Sequence, residues 1–186
     1  MWRGSPGAAA QGSLWSSTLQ WCAAALLTVL LAVLTYSRGG WVPILSSFDL
    51  GVHEFGHMIF FWAPALMVQL AGSFLQIAAP LGLAGYFLWR GDRFAVVLMI
   101  AWAAESLNNV SVYIGDAQRM VLALFGDDGS GSGHDWHNIL GRLWLLASTD
   151  PIAHFVRAVS ALMFLAAFGL ALWWFLRPRL EQGRPS

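Results

Sequence analysis

Long apolar runs broken by short polar interruptions dominate the chain. Five runs stand out, over residues 19–36, 41–62, 69–89, 94–114 and 152–176. A helix that crosses a bilayer needs about 20 mostly apolar residues at ~1.5 Å rise each, and each run is close to that length. The interruptions are breaker sequences: SRGG at 37–40, Pro64, and RGDR at 90–93. The long polar stretch, residues 115–150, carries the Gly/Ser-rich piece DDGSGSG (127–133) and an amphipathic segment over about 136–147. Ile139, Leu140, Leu143, Trp144 and Leu146 supply the apolar side of that segment, which predicts a short helix lying on the membrane surface. The pattern therefore predicts an all-α polytopic membrane protein with about five transmembrane helices. Residues 1–18 read as a polar N-terminal tail, 19–176 as one transmembrane helical domain, and 177–186 as a polar C-terminal tail. The first run is like the core of a signal peptide, but no small-x-small cleavage site follows it, so an uncleaved span is expected. No repeat of fixed period is present.

Composition supports this reading. The chain is 58% hydrophobic and 11% charged, where soluble domains carry about 25% charged residues. Ten basic residues, all arginine, balance ten acids, which gives no footing for a nucleic-acid partner. With five crossings, Arg38, Arg90, Arg93, Arg177, Arg179 and Arg184 fall on one side, and Arg3, Arg119 and Arg142 on the other. The positive-inside rule then predicts N-out/C-in. Small size and Arg/Ala/Gly-rich usage point to a bacterial inner membrane. The single cysteine, Cys22, excludes an internal disulfide and reads as a small buried apolar residue.

The second run carries Asp49, His53, Glu54 and His57. On insertion scales an ionisable group at mid-membrane costs roughly 2.5–3.5 kcal/mol, so this cluster requires a reason. Residues 53–57 read HEFGH. On a helix His53 and His57 point the same way and can share one Zn²⁺, while Glu54 beside them can take a proton from water activated by the metal. Two other readings stay open: polar groups satisfied by hydrogen bonds between helices, and another cofactor role for the histidines, such as ligation of haem or a chlorophyll-type pigment.

HEFGH in an apolar helix, with Gly56 before the second histidine, resembles the site-2 protease class of intramembrane zinc proteases. The resemblance implies a zinc hydrolase that cuts peptide bonds in or near the membrane, with a third ligand, usually Asp, from a later segment. It covers the motif, its membrane setting and the short hydrophobic helices. The Asn-Pro-rich stretch ending in Leu-Asp-Gly that marks the class downstream is absent from this chain.

Two places offer a third ligand. GHDWH (133–137) presents Asp135 and His134, although Asp135 also reads as the N-cap of the helix that follows. Along the fourth run, Glu105, Asn109, Val112 and Asp116 recur at i, i+4, i+7 and i+11. This polar stripe should face the bundle interior, where it offers a ligand, a carboxylate that orients a histidine, a water path, or simple contacts between helices. Gln76 and Ser73 read as packing contacts and His154 as structural. Asp49, one turn before His53, reads as a hydrogen-bond partner of His53 or as facing a watery cavity. Two functions follow. One is an intramembrane zinc-dependent peptidase acting on a membrane-embedded peptide. The other is a non-catalytic subunit of a large assembly, such as a photosynthetic or respiratory complex, with neighbouring membrane subunits and lipid as partners.

Overall fold

The computed structural model describes residues 6–37, 39–122 and 133–182, with side chains given for 18–37, 39–122 and 133–177. Most of DDGSGSG and the extreme ends of the two tails lie outside the described residues. The rest is helical: α1 (Pro6–Ser37), α2 (Leu45–Ile59), α3 (Ala65–Arg90), α4 (Arg93–Gly115), α5 (Asp135–Arg142), a 3-10 turn at Leu146–Ser148, and α6 (Thr149–Gln182). No strand occurs among the described residues.

Local chemistry sets the boundaries. Pro6 opens α1, a position where its missing N–H costs nothing, so helix extends well back into the stretch read as a tail. The α6 helix likewise runs on to Gln182. Pro64 caps α3 from outside, and Gly91, at φ 78°, ends it in the left-handed conformation glycine favours. Asp92 then caps α4 by accepting from the Ala95 N–H at 3.0 Å. The amphipathic segment is shorter than its sequence pattern suggests. It ends as α5 at Arg142, and the exposed Trp144 adopts a positive φ of 59°.

Four of these helices are long and apolar enough to cross a membrane: residues 18–37, 65–90, 93–115 and 146–177. The 15 residues of α2 reach only about 22 Å at ~1.5 Å each, against a hydrocarbon core of ~30 Å. The run over 41–62 is shorter as a helix because the chain bends at Ile44, φ 69°, and again after Ile59. The HEFGH helix is thus about three quarters the length of a crossing.

The centre of the bundle is α4, whose span is 56% buried, while the other three are 17–28% buried. It packs against α1, α3 and α6. Small residues make the close approach possible: Ala24 on α1, Ala101 and Ala104 on α4, and Ala167 and Ala171 on α6 meet in one buried cluster with Val97 and Phe164. Polar groups tie the same helices together. Ser160 donates to the Ala104 carbonyl at 2.6 Å and lies 3.0 Å from the Tyr36 hydroxyl. Cys22 is exposed on the outside of α1 rather than buried. On the other flank α2 leans on α3. A Cβ at Gly56 would sit on the Ala71 carbonyl and against the Gly72 backbone, so the glycine inside HEFGH is what lets the two backbones touch.

Candidate metal centre

The two motif histidines are held by their Nδ1 atoms. His57 Nδ1 lies 2.8 Å from the Val68 carbonyl, which can only accept, so this nitrogen carries hydrogen. For His53 the assignment runs through three side chains. The Gly40 carbonyl accepts from Asn109 Nδ2 at 3.2 Å. That orientation leaves Asn109 Oδ1 to accept from Gln76 Nε2 at 3.1 Å. Gln76 then presents Oε1 to His53 Nδ1 at 3.2 Å, and His53 Nδ1 donates. The Nε2 atoms of both rings are therefore left free for a further partner, the arrangement a metal-binding imidazole requires.

Both Nε2 atoms face one carboxylate oxygen. Asp135 Oδ2 is 3.2 Å from His53 Nε2 and 3.2 Å from His57 Nε2, and the three ligand atoms all lie within 4.8 Å of one another. Neutral imidazoles with hydrogen on Nδ1 would bring two lone pairs against a carboxylate, a clash that a bound cation or a second proton on a ring relieves. The spacing fits a metal: ligand atoms ~2.0–2.1 Å from a tetrahedral zinc stand about 3.3 Å apart. Burial pushes the Asp135 carboxyl up, but the neighbouring His53 and His57 outweigh burial and leave it below the ordinary carboxylate range.

Asp135 reaches this position because its neighbours are tied to three other elements. The Tyr113 hydroxyl of α4 accepts from the Asp135 N–H at 2.9 Å and reaches Oδ2 at 3.4 Å. Trp136 Nε1 donates to Ser73 of α3 at 3.0 Å. His137 Nδ1 donates to the Ala117 carbonyl at 2.7 Å. The N-cap of α5 is His134, not Asp135: His134 Nδ1 accepts from the His137 N–H at 3.2 Å.

The remaining expected site residues divide. Asn109 joins the site at one remove, through Gln76. His134 does not join it; fully buried, its Nε2 faces Asp116 Oδ2 at 3.5 Å, and burial holds the imidazole below its ordinary pKa. Asp116 stays on the loop, where it accepts from the Val121 and Leu122 N–H groups at 3.2 and 2.9 Å. Glu105 lies deeper and contacts Ser46 at 3.1 Å. Asp49 bonds neither His53 nor a cavity; it accepts from Trp102 Nε1 at 2.8 Å and Ser106 Oγ at 3.3 Å. His154 is exposed.

A cavity of about 440 Å³ adjoins the three ligands, lined by Glu54, Ser46, Gln76, Asn109 and Tyr113 on its polar side and by Trp41, Leu50, Val112 and Leu122 on its apolar side. Glu54 is half-buried and outside the ligand cluster, so its carboxylate is available to a molecule in the cavity. Three contributors escaped the sequence reading. Gln76, taken there as packing, orients His53. Tyr113 follows Asn109 at i+4 and so continues the α4 stripe; that spacing was the signal for it. Gly72 lies under both rings, with a Cβ position 2.5 Å from His53 Nε2 and 2.7 Å from His57 Nε2.

Replacing Gln76 with Leu removes the acceptor for His53 Nδ1 and frees the ring to turn. If His53, His57 and Asp135 hold zinc, its affinity in Gln76→Leu, measured by competition with a chelator, is expected to fall about 10–100-fold, with the helical circular dichroism unchanged.

No protein-family model, curated protein or solved structure matches the chain.

Proposed function

We propose that this chain is an intramembrane zinc-dependent hydrolase of the peptidase type, similar in its site to the site-2 proteases. The observation that carries the reading is the convergence of His53 Nε2, His57 Nε2 and one oxygen of Asp135, beside a cavity that also holds Glu54. His53, His57 and Asp135 would hold the Zn²⁺. A zinc ion held there would supply Lewis acidity. Glu54 takes the proton of the attacking water and returns it to the leaving amine. Tyr113 keeps the Asp135 carboxylate in place, and the apolar wall of the cavity accepts the side chains of a membrane-embedded peptide.

Topology supports the same reading. With four crossings and α2 as a short helix between them, the described residues 39–64, 116–122 and 133–145 lie on one side of the membrane. This is how Asp135 meets the motif. The ends of the chain then share the other side with Arg3, Arg90, Arg93, Arg177, Arg179 and Arg184, leaving Arg38, Arg119 and Arg142 with the site. The positive-inside rule makes the side of the two chain ends cytoplasmic, which keeps the C-terminus inside and moves the N-terminus inside with it. The site faces outward.

Elemental analysis of purified protein tests the proposal. It is expected to find about one zinc per chain, and His53→Ala, which leaves two protein ligands where catalytic sites use three, is expected to lose it. Metal-free wild-type protein that stays metal-free after dialysis against zinc would overturn the reading.

A further inference from the structure

The zinc centre has two halves carried by different elements. His53, Glu54 and His57 ride on α2, and Asp135 is tied to α4 and α3. The short helix α2 packs mainly on α3, so its position relative to α4 depends on a small polar contact one turn below the motif. We propose that Glu105 carries a proton at neutral pH, donates it to Asp49, and that this pair is the catch holding the ligand-bearing short helix against α4.

The hydrogen bonds assign the proton. Both carboxyls are fully buried and meet at the seam of α2 and α4, where Asp49 of α2 bonds Trp102 and Ser106 and Glu105, the residue before Ser106, bonds Ser46 of α2. Two carboxylates cannot bond each other without a proton between them. Neither has a basic partner among the described residues. Asp49 already receives two donors, Trp102 Nε1 on Oδ1 and Ser106 Oγ on Oδ2, so the negative charge is best stabilised there. Glu105 receives one, from Ser46 Oγ on Oε1 at 3.1 Å, and its buried Oε2 receives no donor. Oε2 is thus the atom free to carry the hydrogen. Ser46 completes the catch: its hydroxyl accepts from the Val42 N–H at 2.8 Å at the entry to α2, so the start of the helix, Glu105 and Asp49 form one connected set. One proton leaves a single negative charge in the bundle instead of two, and every strong donor has an acceptor. Glu105 is a positioning residue in this scheme; it acts on the zinc ligands through α2.

The inference rests on the zinc reading for its functional meaning, and its test separates the two. Glutamine is a neutral copy of a protonated glutamate, able to donate to Asp49 and to accept from Ser46. Zinc affinity of Glu105→Gln is therefore expected to stay near the wild-type value. Glu105→Ala, which breaks the catch, is expected to lose about 10–100-fold, the range for residues that orient metal ligands. Asp49→Asn should fall with the alanine variant, because an amide cannot accept at both oxygens. Infrared spectra of the full-length protein in lipid nanodiscs should show the C=O stretch of a protonated carboxyl, lost in Glu105→Gln. Absence of that band, or a Glu105→Gln variant as impaired as Glu105→Ala, overturns the proposal. If Glu105→Ala does not fold, Glu105→Gln against Asp49→Asn makes the same comparison. If the wild type binds no zinc, the zinc reading falls by itself; the band and the melting temperatures of Glu105→Gln and Asp49→Asn then decide the catch.

Discussion

Glu54→Gln is expected to keep the proposed zinc and to lose the proposed hydrolysis. The side chain lines the cavity and supplies none of the three clustered ligand atoms, so an amide of the same shape leaves the metal centre intact. It cannot take a proton from water, and a positioned general base contributes about 10²–10⁴-fold to rate. The measurement is cleavage of single-span peptides in phosphatidylcholine vesicles, with zinc content determined on the same preparation. A variant that retains both zinc and full cleavage would remove Glu54 from the chemistry. One that loses zinc would make it a structural support of the site.

Gly72→Ala should do the reverse, sparing the helix and damaging the metal site. In a helix interior alanine is favoured over glycine by about 1 kcal/mol, so α3 itself gains. The added methyl, however, would stand 2.5 Å from His53 Nε2, 2.6 Å from its Cδ2 and 2.7 Å from His57 Nε2, well inside van der Waals contact. The α3 backbone has little room to retreat, because Ala71, the residue before, already bears on Gly56 of α2. Both rings must turn away from Asp135. Zinc affinity is expected to drop by at least about 100-fold, the upper end for residues that orient ligands, while the melting temperature of the metal-free protein holds or rises. Unchanged affinity would mean that the Nε2 atoms are not the ligand atoms.

The sequence showed the helical membrane character and the HEFGH cluster, since both rest on local rules: apolar run length, and the i, i+4 spacing of His53 and His57. It overstated the second run as a full crossing. Hydropathy registers apolar residues, not the bend at Ile44 or the early end after Ile59, and the shortness of α2 comes from those two backbone turns. Asp135 was in view as one of two neighbours in GHDWH. Choosing between it and His134 depended on which of them caps α5, a matter of backbone geometry 82 positions from His53. Gln76 was visible as a lone amide in an apolar helix, yet its role needed the chain of bonds from Gly40 through Asn109, which joins three separate segments. Asp49 was misassigned for a similar reason. Its nearest polar neighbour along α2 is His53, but its partners Trp102 and Ser106 come from another helix.

The central claim is that one cation joins His53, His57 and Asp135. X-ray absorption spectroscopy at the zinc edge of the wild-type protein and of Asp135→Ala tests it most directly. Two imidazole nitrogens at ~2.0–2.1 Å and carboxylate oxygen at ~2.0–2.2 Å are expected in the wild type, with the carboxylate contribution gone from the variant. Identical spectra for the two proteins, or a zinc shell without imidazole, would contradict it.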